Sequence, residues 1–133
     1  MKMKKYAVVG TGGRAVSMFI TPLLQGFKNC AEVSGLYDSN HDRALAAKRL
    51  VGQEISSSLE IPVYEDFSLM MDQVNPDRVI VCTMDSAHAE YVVKSLKRGA
   101  AVFCEKPLCT TLKQVRGIRE AADSSPAEVS GYP

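Results

Sequence analysis

KYAVVGTGGRA, residues 5–15, runs from a short apolar segment straight into a glycine-rich turn. Lys5 to Val9 predicts a buried strand, and Gly10-Thr11-Gly12-Gly13-Arg14-Ala15 fits the pattern G-x-G-x-x-A. In that pattern the first glycine makes a tight turn. The second lets backbone amides approach a pyrophosphate with no Cβ in the way. A small third residue, here Ala15, lets the following helix pack close to the strand. The helix start would add partial positive charge toward the phosphates. The spacing carries weight because it follows a strand and precedes a helix. Val16 to Ile20 is compatible with that helix, and Pro22 is expected to kink or end it.

Outward from this turn the chain alternates. Glu32 to Tyr37 reads as a second strand ending at Asp38, and Ser39 or Asn40 can cap a helix through about Leu50. Val51 to Glu60 is polar and rich in Gly and Ser, so it reads as a surface loop. Ile61 to Tyr64 is a short strand. Phe67, Met70, Met71 and Val74 then fall at i, i+3, i+4 and i+7, one face of a helix. Arg78 to Cys82 is the next strand, and Ala89, Val92, Val93 and Leu96 repeat the helical spacing. Ala101 to Cys104 is a fifth strand. Thr111 and Gln114 form a capping box for a helix with Leu112, Val115, Ile118 and Ala122 inward. A last strand starts at Ala127. Strands alternating with amphipathic helices predict a doubly wound, mostly parallel sheet of the Rossmann type, covered on both faces. Residues 1–126 are expected to form this domain, and 127–133 to begin a crossing to a second one.

The bulk composition excludes several classes. With 133 residues, 46% apolar, 23% charged and a formal net charge of +1, the chain has an ordinary globular balance. Its field is too weak to recruit nucleic acid or an acidic membrane. No apolar run approaches a membrane span, and the run after Lys2, Lys4 and Lys5 is too short for a signal peptide. A cytoplasmic protein is expected. Cys30, Cys82, Cys104 and Cys109 make no C-x-x-C pair and read as buried free thiols. His41 and His88 complete no zinc ligand set, so no metal is expected.

In open parallel sheets, ligands bind beyond the carboxyl ends of the strands. Four polar clusters fall there: the glycine loop, Asp38, Thr83 to His88, and Glu105-Lys106-Pro107. Asp38 can accept hydrogen bonds from both adenosine ribose hydroxyls and repels a 2′-phosphate, so NAD is favoured, with NADP as the alternative. It can equally serve as a helix cap. Arg14 can face phosphate or solvent, and solvent is the plainer expectation. His88, near a helix start, is either a solvated or capping residue or a functional one. Lys106 at the rim, partly desolvated and beside Glu105, can move protons. Pro107 biases it to an extended geometry. The bland alternative is a surface Glu-Lys pair of little energetic weight.

VVGTGGRA (8–15), GLYDSNHDRA (35–44) and VIVCTMDSAHAEYVVKSLKRGAAVFCEKPL (79–108) together resemble the N-terminal domain of the Gfo/Idh/MocA oxidoreductases. The last stretch is similar to that family's long signature: strand, Thr-Pro-x-x-x-His or a variant, helix, strand, Glu-Lys-Pro. The resemblance implies hydride transfer between a nicotinamide cofactor and a hydroxyl carbon of a sugar, inositol or related polyol. It assigns Gly10, Thr11, Gly12, Gly13, Arg14 and Ala15 to the pyrophosphate loop and Asp38 to the adenosine ribose. Thr83 and His88 would run along the cofactor toward the nicotinamide. Glu105 and Lys106 would border the nicotinamide ribose, and Lys106 would be the catalytic proton carrier. Met84 stands where many members have proline. The family's second, α+β substrate domain is expected to be absent from this chain, which would then be an excised domain, a proteolytic remnant or a shortened reading frame, inactive alone and prone to self-association through the face left bare. Two other functions fit the same scaffold: an NAD-dependent glycosidase acting by oxidation and elimination, and a non-catalytic nucleotide-binding module.

Overall fold

A computed structural model describes residues 3–56, 58–127 and 129–131. Six strands, β1 (Lys4–Val9), β2 (Ala31–Tyr37), β3 (Val63–Tyr64), β4 (Arg78–Val81), β5 (Ala101–Cys104) and β6 (Val129–Gly131), form one sheet in the order β3-β2-β1-β4-β5-β6. Every pairing is parallel. The chain winds outward from β1 in both directions, which makes the β1/β4 junction the point where the order reverses. That is the doubly wound fold expected from the alternating pattern.

Alternation along the strands separates two cores. Ala7, Val9, Val79, Val81, Val102 and Cys104 face one side, under α3 (Phe67–Val74), α4 (His88–Lys97) and α5 (Leu112–Asp123). Val8 and Ile80 face the other, under α1 (residues 13–26) and α2 (His41–Glu54), with Tyr6 and Phe103 packed against the same cluster. The expected face of α3 is fully used: Phe67, Met70, Met71 and Val74 are all buried. Each such side chain contributes about 1.5–3 kcal/mol relative to exposure.

Four local expectations need correction or refinement. Pro22 does not end its helix. α1 comprises Gly13–Ala15, a π-helical segment Val16–Ile20 and Thr21–Gly26 in one continuous run. The wider turn bonds Thr21 N–H to Val16 O and ends just before the proline, where α-helical bonding would crowd the ring. The second helix does not stop near Leu50 but continues to Glu54, because Val51 is fully buried one turn beyond Ala47; packing outweighs the polar composition of the segment. On α5, Ile118 and Ala121 are buried, while Leu112 is 65% exposed and Val115 also lies open. The apolar stripe there overhangs the core by two turns. The last strand is Val129–Gly131, paired with β5, so the expected 126/127 boundary falls just before a strand of the same sheet. Glu128, Tyr132 and Pro133 lie outside the described residues. No helix among the described residues is long and apolar enough to cross a membrane.

Candidate functional site

The sheet order sets the carboxyl-end groups in a row. Asp38 follows β2, the glycine loop follows β1, Thr83 follows β4, and Glu105-Lys106 follows β5. The glycine loop sits between the other groups and is bonded to both sides.

On one side the partner is Asp38, only 4% exposed. Its Oδ2 accepts from the Thr11 backbone N–H at 2.9 Å and from Thr11 Oγ1 at 3.2 Å. Its Oδ1 accepts from Asn40 N at 2.9 Å and lies 3.6 Å from Arg43 Nη1. Buried carboxylates need such donors. The cap of α2 is Asn40, whose side chain accepts from Arg43 N. Asp38 is therefore not the helix cap; it anchors the glycine loop, a role the sequence reading did not assign.

On the other side the partner is Glu105, 7% exposed. Arg14 Nε donates to Glu105 Oε2 at 2.5 Å, so Arg14 does not simply face solvent. Glu105 pairs across the cleft with Arg14 rather than with its neighbour Lys106, whose side-chain nitrogen has no hydrogen bond or ion pair among the described residues. The hydrogen bond from Arg14 holds the Glu105 carboxyl below its ordinary value; burial opposes this, and the Lys106 backbone N–H supports it. The expectation of a partly desolvated Lys106 is corrected too, since Lys106 is exposed. Its bond to Pro107 is cis.

Gly10 and Gly12 differ in what they leave room for. Gly10 has φ +88°, and a Cβ there would sit 2.5 Å from the carbonyl carbon and oxygen of Cys82. The loop is pressed against the end of β4. At Gly12 and Gly13 an added Cβ would meet nothing within 4 Å. The space above the α1 N-terminus is open, and the N-cap Gly12 supplies no side-chain bond to it. Uncapped amides facing an open, side-chain-free cradle fit a phosphate group. Ala15, 1% exposed, packs inward as its small size requires.

His88 is buried, and both ring nitrogens are occupied inside the protein. Nδ1 lies 2.6 Å from the Pro107 carbonyl oxygen and Nε2 2.9 Å from the Thr83 carbonyl oxygen. Thr83 Oγ1 donates to the Met84 carbonyl, and Met84 itself is 77% exposed. Arg14, Thr83, His88, Glu105 and Lys106 line one cleft of about 340 Å³. A larger cavity of about 640 Å³ lies on the sheet face under Phe19 and Phe103, away from the rim. Nothing from the glycine loop reaches it, so the rim is the better candidate site. No group of His, Cys, Asp and Glu suited to a metal occurs among the described residues. Cys30, Cys82, Cys104 and Cys109 are free, but of the four only Cys104, on β5, is buried as expected; the other three lie beyond the strands and are partly exposed.

Residues 4–131 match the family model described as the Gfo/Idh/MocA oxidoreductase family, NAD-binding Rossmann fold. The chain is 32% identical over 123 residues to an inositol 2-dehydrogenase of Paracoccus denitrificans, covering 91% of this chain and 34% of that protein. It is 35% identical over 116 residues to an inositol 2-dehydrogenase/D-chiro-inositol 3-dehydrogenase of Lacticaseibacillus casei, covering 86% and 31%. The crystal structure of myo-inositol dehydrogenase from Lactobacillus casei, in complex with NAD(H) and myo-inositol, superposes with a TM-score of 0.81 at 28% identity, covering 98% of this chain and 36% of that one. The chain thus spans about a third of the length of the curated relatives it matches. The parallel winding agrees with these likenesses, and the family model spans nearly the whole sequence: the chain belongs to the Gfo/Idh/MocA family of oxidoreductases and carries its NAD-binding Rossmann fold.

Proposed function

We propose that this chain binds a nicotinamide dinucleotide along the strand-end row, NAD in preference to NADP. Within a longer cytoplasmic protein it would take part in hydride transfer at a hydroxyl carbon of a sugar, inositol or related polyol. One observation carries the reading: the glycine loop is bonded to Asp38 on one side and to Glu105, next to Lys106, on the other. A phosphate cradle and two buried acids are thereby tied together, with Lys106 next in the chain after the second acid. Asp38 favours NAD because its charge repels a 2′-phosphate. The half-exposed Arg43 beside it supplies a cation at the same edge, which keeps NADP as the second cofactor. The inositol dehydrogenases among the relatives support a polyol.

The nicotinamide, when bound, gives or takes the hydride. The residues of the chain do the rest. Gly12 and Gly13 leave their amides open to the pyrophosphate. Arg14 keeps Glu105 ionised at the rim. Lys106, whose side-chain nitrogen makes no hydrogen bond or ion pair among the described residues, takes the proton from the substrate hydroxyl or returns it. By itself the chain would bind cofactor without turning over substrate.

The test is an NADH fluorescence titration of the chain. Gly12→Val places a side chain in the open cradle, where its Cβ meets no protein atom within 4 Å, so affinity should fall by at least about tenfold while the melting temperature holds. A wild-type chain that binds no NADH, or a Gly12→Val chain that binds as well as wild type, overturns the reading.

A further inference from the structure

We propose that His88 is a positioning residue for Lys106: it straps the Lys106–Pro107 turn to the end of β4 and so aims the proton-handling side chain. The inference rests on the reading of Lys106 given above.

Lys106 is exposed, and among the described residues no hydrogen bond or ion pair holds its side-chain nitrogen. A long, unbonded side chain is aimed only as well as its backbone is fixed. The sheet holds that backbone up to Glu105, whose N–H donates to Val81 O. Beyond it the chain leaves the sheet, and residues 106–108 are all exposed. The grip on this exit comes from below. His88 is 1% exposed, at the first turn of α4. Its ring reaches the Pro107 carbonyl with one nitrogen and the Thr83 carbonyl with the other. Both oxygens only accept. A neutral ring donates to one of them, and a ring with hydrogen on both nitrogens donates to both.

A second, exposed strap runs parallel. Gln114 Nε2 donates to Ser86 O, and Gln114 Oε1 accepts from Thr110 N and Thr111 N. The loop after β4 and the turn after β5 are thus joined at two places, with His88 the inner and buried one. A buried side chain spending both its polar atoms on two loop carbonyls, next to an unheld lysine, is placed to fix that lysine's direction. Its ring nitrogens, both set against protein carbonyls, are not available to hydrogen-bond a cofactor. This reassigns His88 from cofactor contact to support.

The experiment uses the chain with NADH and two variants, His88→Asn and the longer His88→Gln, whose amide can reach one carbonyl. Lys106 accessibility is read by reductive methylation and peptide mass spectrometry, with and without NADH. In the wild type, NADH should shield Lys106 about tenfold. In His88→Asn, NADH affinity should stay within about threefold while shielding falls below about threefold. His88→Gln should lie between, and it serves alone if His88→Asn does not fold. A purely structural role would lower affinity and shielding together, and that result overturns the proposal. So does shielding that is unchanged in a variant that still binds. A wild type that binds no NADH removes the functional reading instead. The strap is then judged by hydrogen exchange: faster exchange confined to residues 105–110 in the variants supports it, and unchanged or uniformly faster exchange overturns it.

Discussion

Gly10 is the residue at which the fold tolerates least. Its φ of +88° and the 2.5 Å approach to the Cys82 carbonyl leave no room for a methyl group. Gly10→Ala should destabilise the chain by about 2 kcal/mol or more, read from urea unfolding. Arg14 and Glu105 make a second residue-scale case. The folded Glu105 carboxyl lies below its ordinary value of 4.5, so its contribution is present above that value and is lost as pH falls through the lowered one. Arg14→Met should therefore be less stable than wild type at pH 6, and the gap should narrow as the pH is taken progressively below 4.5. Chemical denaturation at a series of pH values checks this. Burial pushes the Cys82 and Cys104 thiols up to about 12. At pH 8 only about one in ten thousand of each would be thiolate. Ellman's reagent should therefore leave both unmodified in the native protein.

At the scale of elements, α5 is started by its cap and held by its far end. Thr111 Oγ1 accepts from Gln114 N, while Gln114 returns the bond to the Thr111 backbone. Thr111→Ala should cost about 1 kcal/mol in a thermal melt. Leu112→Lys, at an exposed position, should change stability by less than about 0.5 kcal/mol. The capping box could be read from residue types alone, because both bonds are local. The inward face of the same helix could not be read in full. Helical spacing states which residues share a side but not how far the neighbouring core extends, and here that core stops near Ile118. Pro22 shows the same limit. Its missing N–H is a local fact, yet whether the helix breaks depended on a wider turn forming ahead of it. Val51 stays in the helix because its burial against the sheet outweighs the glycine and serines around it.

For the molecule as a whole, the winding was legible because strand and helix periods alternate without ambiguity, and the right-handed crossover rule leaves few topologies. The row of site residues followed from that winding. The bonds within the row did not: Arg14 to Glu105 spans 91 positions, and Asp38 to Thr11 spans 27. Such pairings depend on side-chain reach, which spacing does not encode. One sheet face carries the apolar cavity lined by Phe19, Leu23, Phe27 and Phe103, and parallel sheets are normally covered on both faces. The chain alone should self-associate, with a sedimentation coefficient that rises with concentration, and Phe27→Glu should suppress the rise. The strand order has a last consequence. From β2 to β5 the row crosses three inter-strand gaps, about 14 Å at the ordinary backbone spacing. The main chain itself is the ruler. Point mutations can change what is grasped at either end, but the span between the two grips is written in amide geometry and lies beyond their reach.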